Sequence, residues 1–146
     1  MNGHVFELHS ERKNKAQFAD TMEALMIYAS TLCKSDKESL NVLFTELKRP
    51  KVAEPPEPKI TTIKDEFGKT KDVVSKFEET IYSERIKQWI RDEKSLQSST
   101  RALYNIVWGQ CSKLMKDKLS MAKNYVRFEE ECDVTALLNE IRRVRL

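Results

Sequence analysis

The residues with the most capacity for chemistry sit in NIVWGQCSKLM, Asn105 to Met115, where Cys111 follows Gly109 and Gln110. A cysteine on a tight turn becomes a nucleophile when a neighbouring imidazole draws off its proton and a third group orients the pair. The chain has two histidines, His4 and His9, both within its first dozen residues. Cys111 also falls four residues after Val107 and three before Leu114, the spacing of one apolar helical face. A packing role for Cys111 is therefore expected, with Gly109 allowing another helix to approach or the backbone to bend slightly beside Trp108.

The other chemical constellations are weaker. Glu78/Glu79 and Glu129/Glu130/Glu131 could face a cation, but no EF-hand spacing surrounds them, and they read as solvated helix termini. The three cysteines, Cys33, Cys111 and Cys132, are far apart and include no CxxC pair. That argues against a zinc site or a disulfide framework and for reduced thiols in an intracellular, cytoplasmic setting. There is no GxGxxG, no P-loop and no HExxH. No catalytic residue, metal or cofactor is expected, and the chain reads as non-enzymatic.

Lys113, Lys116, Lys118, Lys123 and Arg127 could present one positive surface, and Arg142, Arg143 and Arg145 cluster near the end. Nucleic acid drawn to these groups would bind electrostatically and weaken with salt. No alternation of aromatic and basic residues, of the kind that stacks bases, accompanies them. The net charge of +3, from 26 basic and 23 acidic residues, is too small to mark a dedicated phosphate-binding protein.

The elements that must carry these residues are helical. Among 146 residues there are three glycines and four prolines, too few for the turns of an all-β chain. No apolar run approaches the ~20 residues needed to cross a bilayer, so no membrane partner is expected. MNGHVFELHSERK lacks a signal-peptide core, because polar residues interrupt it. Within it, HVFELH could be a strand or simply extended.

Phe18, Met22, Leu25, Met26, Ala29, Leu32 and Cys33 recur at steps of three and four, which predicts a helix over 14–33 with these residues in the core. Ser35 to Glu38, SDKE, fits a capping box for a second helix through Leu40, Leu43, Phe44 and Leu47, stopped by Pro50. All four prolines fall in RPKVAEPPEP, which should be extended and polyproline-like. KITTIKDEFGKTKDVV then alternates weakly around Phe67-Gly68, as a small hairpin or, by slight preference, a mobile segment. A second capping box, SKFE from Ser75, opens a helix over 76–94. Another is expected over 97–119, followed by a polar stretch and a final helix over 133–145 capped by Asp133. The chain stops at Leu146 directly after that helix, which suggests a fragment of something longer.

The run FEETIYSERIKQWIRDEKSLQSSTRALYNIVWGQCSKLMKDKL, followed by a tyrosine-bearing stretch and DVTALLNEIR, resembles the Gag-like region of copia-type LTR retrotransposon polyproteins. The matching positions are Trp89, Leu96, Leu103, Tyr104, Ile106, Trp108, Gly109, Gln110, Cys111, Leu114, Asp133, Leu137, Leu138, Ile141 and Arg142. VFELHSE and QFADTMEAL look like the leading part of such proteins. The resemblance implies a helical capsid-type domain that self-associates into a particle around RNA. The CCHC zinc knuckle often found downstream in such proteins is missing here, as are protease, integrase and reverse-transcriptase motifs.

The expected architecture is all-α: a bundle of about five helices, with an N-terminal helical segment (1–49), a Pro-rich linker with a possible hairpin (50–74) and a helical core (75–146). The expected function is a structural one, with the chain itself as partner and RNA as a further electrostatic partner. Tyr28, Tyr82, Trp89 and Tyr125 are the candidate anchors of self-association. The alternative is a helical adaptor or nucleic-acid-binding module that uses the basic residues 113–127.

Overall fold

The computed structural model describes residues 11–145. Six α-helices and one hairpin occur among them: α1 (Glu11–Leu32), α2 (Lys37–Glu46), β1 (Thr61–Lys64), β2 (Thr70–Val73), α3 (Lys76–Gly109), α4 (Lys113–Ser120), α5 (Tyr125–Glu131) and α6 (Val134–Arg145). HVFELH and both histidines lie outside the described residues. The helical fold class expected from composition is observed. Its contacts form two compact units, one from the chain up to Lys51 together with Ser95 onward, the other from Val52 to Lys94.

In the first unit α6 supplies the centre. Val134, Leu137, Leu138 and Ile141, at steps of three and four, are all buried. Asp133 caps this helix as expected, its Oδ1 accepting from the Ala136 amide at 3.1 Å. From α1, Thr21, Leu25 and Ala29 turn inward, as does Cys33 just after it. Met26 and Leu32, expected in the core, are instead exposed, because a stepwise-four stripe suffices to fill the space beside α1. Leu114 is likewise exposed: α4 buries Met115 and Leu119 instead.

The capping box at Ser35 is not formed. Residues Lys34–Asp36 make a 3-10 turn, and no side chain caps α2. Asp36 is buried and turns to α3, where Ser95 Oγ donates to its Oδ2 at 2.9 Å and Ser99 Oγ donates to the same oxygen. Two hydroxyls thus satisfy a carboxylate that burial would otherwise penalise. The end of α2 is tied down in the same manner. Leu47 adopts φ +52°, and its carbonyl accepts from Asn139 Nδ2 of α6 at 2.9 Å.

The two helices expected over 76–94 and 97–119 are differently divided. α3 continues through Lys94–Gln97, where neither glycine nor proline interrupts it, and stops at Gly109. Ser112 then begins α4, its Oγ accepting from the Met115 amide at 3.1 Å. A hydroxyl that satisfies a free helical amide makes a new start there favourable.

The stretch expected to be merely polar contains α5, held by the fully buried Phe128. α5 ends in a Schellman motif: the Cys132 amide bonds Glu129 O, the Asp133 amide bonds Phe128 O, and Cys132 sits at φ +51°. A side chain other than glycine at that position carries a steric cost. Cys132→Gly is therefore expected to stabilise the chain by about 0.5 kcal/mol, after the greater freedom of glycine in the unfolded chain is counted. Thermal unfolding would show the midpoint rise; a fall would mean that the packing of this half-buried thiol outweighs the backbone strain.

The second unit contains Pro55, Pro56 and Pro58 of the proline segment, the hairpin and Lys76–Lys94 of α3. The hairpin pairs Thr61 with Val73 through Lys64 with Thr70, antiparallel. Its turn accounts for the hairpin, one of the two readings the sequence left open. Asp65 Oδ1 accepts from the Phe67 and Lys69 amides at 2.9 and 2.8 Å, and Gly68 takes φ +73° to close a bulged three-residue loop. Ser75 caps α3, accepting from the Glu78 amide at 3.1 Å, which is half of the expected box.

Candidate functional site

Cys111 does lie on a turn after Gly109 and Gln110, between α3 and α4, but its side chain faces inward, the packing role expected from sequence. The residue is 6% exposed, and its thiol donates to the Val107 carbonyl at 3.3 Å. Burial pushes the thiol up to about 12, with Lys116 pulling weakly the other way. At neutral pH such a group holds almost no thiolate, and thiolate is the nucleophilic form. Tyr104, 5% exposed, is also raised to about 12, first by burial and then by Glu129, Tyr125, Cys132 and Cys111. Of these groups Tyr104 and Cys111 are buried, Tyr125 and Cys132 half-buried and Glu129 exposed. All three cysteines are free, and no three His, Cys, Asp or Glu side chains among the described residues are grouped to hold a metal.

The basic candidates are distributed over α4, α5 and the turn between them. Lys113 and Lys116, three apart, share one side of α4, while Lys118 falls across the buried Met115–Leu119 stripe from them. Lys116 places its Nζ 5.7 Å from the Trp108 ring centre. Lys123 is exposed in the turn before α5. Arg127 Nη1 pairs with Glu131 at 3.0 Å and with Asp133 at 3.4 Å. Near the end, Arg143 pairs with Glu140 and Arg142 donates to Asn139 at 3.4 Å. Arg127 and Arg143 are thus answered by acids, and Lys116 lies over an aromatic ring.

The aromatic candidates differ in what they already do. Tyr125 is half-buried, edge-on to Phe128 with ring centres 5.5 Å apart and tilted against Trp108 at 6.0 Å. Trp89, half-buried, donates its indole N–H to the Val52 carbonyl at 3.3 Å. Tyr82 is half-buried on α3, one helical side with Ile86 and Trp89. Tyr28 is exposed and belongs to the most apolar stretch of α1. There Leu25 and Ala29 turn inward, Met26 and Tyr28 flank them, Ile27 stands opposite at 61% exposed, and Leu32 is half exposed.

A helix apolar on all sides is ordinarily buried on all sides. The residue with the most exposed surface here, Ile27, was not singled out from sequence, because it lies off the buried stripe that periodicity detects. The run ALMIYA in place of a polar outer face was the available signal. No helix among the described residues is long and apolar enough to cross a membrane. Comparison of the chain with protein-family models, with curated proteins and with solved structures finds no match in any of the three.

Proposed function

We propose that the chain is a non-enzymatic structural protein that self-associates through helical surfaces, in the manner of the capsid-like part of a retrotransposon Gag. The observation that carries this reading is α1, whose Met26, Ile27, Tyr28 and Leu32 stay exposed after the core is filled. Apolar groups arranged around an exposed helix favour a second helical surface, since joining removes both from water. Inert, reduced thiols suit an intracellular assembly, and the sequence resemblance points the same way. The partly neutralised basic residues make RNA an auxiliary partner held by Lys113, Lys118 and Lys123.

Light scattering coupled to size exclusion tests this. The average mass of the full chain is expected to rise with concentration, and Ile27→Asp is expected to weaken association about tenfold or more, with its circular dichroism unchanged. A chain that stays monomeric at every concentration, with and without RNA, would refute it. RNA affinity that falls steeply with salt while the protein remains monomeric would favour the nucleic-acid-binding module instead.

A further inference from the structure

No residue from Val52 to Lys94 is fully buried, yet burial in this unit has a pattern. Between Val52 and Pro58 the half-buried residues are Val52, Pro55 and Pro58, and the four between them are exposed. A period of three is that of a polyproline II helix, and this segment forms neither α-helix nor strand. On α3 the half-buried apolar residues of the same unit are Ile81, Tyr82, Ile86 and Trp89, the last donating its indole N–H to the Val52 carbonyl.

The lengths agree. Val52 to Pro58 extends about 19 Å as polyproline II, and Glu78 to Trp89 extends about 17 Å along an α-helix. An aromatic surface that meets alternate edges of a polyproline helix, with an indole N–H on one of its carbonyls, is a recurring mode of proline-rich recognition.

We infer that the Tyr82, Ile86 and Trp89 side of α3 is a binding site for a polyproline II segment, occupied in cis by residues 52–58. Its ligand class is an extended segment with apolar residues three apart, two of them proline. The bound segment comes already extended and loses little freedom on docking. It is also held shallowly, with one side-chain hydrogen bond at 3.3 Å and no deeply buried member among the described residues. The tether, rather than a deep pocket, keeps it in place: a linked segment acts at a millimolar-scale effective concentration. A proline-rich segment of another chain can therefore occupy the same face once the tethered one is released. This inference does not depend on self-association.

The test uses the full chain and a synthetic peptide of residues 49–59, RPKVAEPPEPK. Val52→Ser/Pro55→Ser/Pro58→Ser opens the face, and Pro55→Ser alone is the milder variant. NMR of the two indole N–H groups reports both units, since Trp108 lies in the first and Trp89 in the second. An unchanged Trp108 signal establishes that the first unit is folded, and unchanged helical circular dichroism that α3 is intact in the second.

The opened chain is expected to bind the peptide about tenfold more tightly than the unaltered chain, since the competing tether is gone. Saturation should return the Trp89 signal to its position in the unaltered chain. Adding Trp89→Phe should remove most of that gain. The inference is overturned if the folded opened chains, triple and single, bind no better than the unaltered one, or if Trp89→Phe leaves the peptide affinity intact.

Discussion

Raising the pH from 9 to 12 is expected to cost the first unit a few kcal/mol, chiefly through the inward-facing Cys111 with a smaller share from Tyr104. The thiol moves from an ordinary value of 9.0 to about 12 and the phenol from 10.0 to about 12, in both cases chiefly because burial disfavours the anion. Each step of one in pKa corresponds to about 1.4 kcal/mol. The sign follows from proton binding. Between pH 9 and 12 the unfolded chain releases these protons while the folded one keeps them, so the unfolded state is progressively favoured. Below pH 9 the contribution is fully present; by pH 12 it is lost.

An effect of that size is a large fraction of the stability of a small domain. Urea titrations from pH 8 to 11.5 would show it as a falling midpoint. Cys111→Ala should move the onset of the fall from about pH 9 to about pH 10, where the tyrosine alone begins to titrate. An onset that the substitution leaves in place would mean that the thiol is not withdrawn from water as described.

Phe128→Ala is expected to destabilise the chain by about 3–5 kcal/mol, the range for removing a buried aromatic ring. Phe128 is the single fully buried residue of α5, a helix of seven residues. A helix so short has no stability of its own and depends on that anchor. The ring also provides the edge-on partner of Tyr125, and its carbonyl accepts from the Asp133 amide in the turn that leads to α6. Val126→Ala on the same helix, where the side chain is 62% exposed, should change stability by less than about 0.5 kcal/mol. Equilibrium unfolding in urea separates the two. Similar losses for both would mean that α5 is held by its whole surface rather than by one ring.

The sequence located α6 with its four buried residues and the caps at Asp133 and Ser75, but not the stop at Gly109. It read one helix where Ser112 starts another, because apolar spacing continues from Val107 through Met115 across a turn in which Cys111 stays buried. It also missed α5. One phenylalanine in seven residues gives no repeat to detect, although it suffices to anchor a turn against existing helices. Met26 and Leu32 fit the period as well as Leu25 does. Which of them enters the core depends on how much surface the neighbouring helices offer, and that is not a property of α1.

The identity of the side chains by itself determined a helical chain, an extended proline segment and a hairpin turn chemistry in which Asp65 and Gly68 satisfy local backbone demands. These follow from forces acting within a few residues. The burial of Cys111 also followed from its place on the apolar stripe. The two hydroxyls on Asp36 and the indole of Trp89 on Val52 were decided by tertiary structure. Their partners lie from 37 to 63 residues away, and only packing brings a hydroxyl or a carbonyl to the group that needs it.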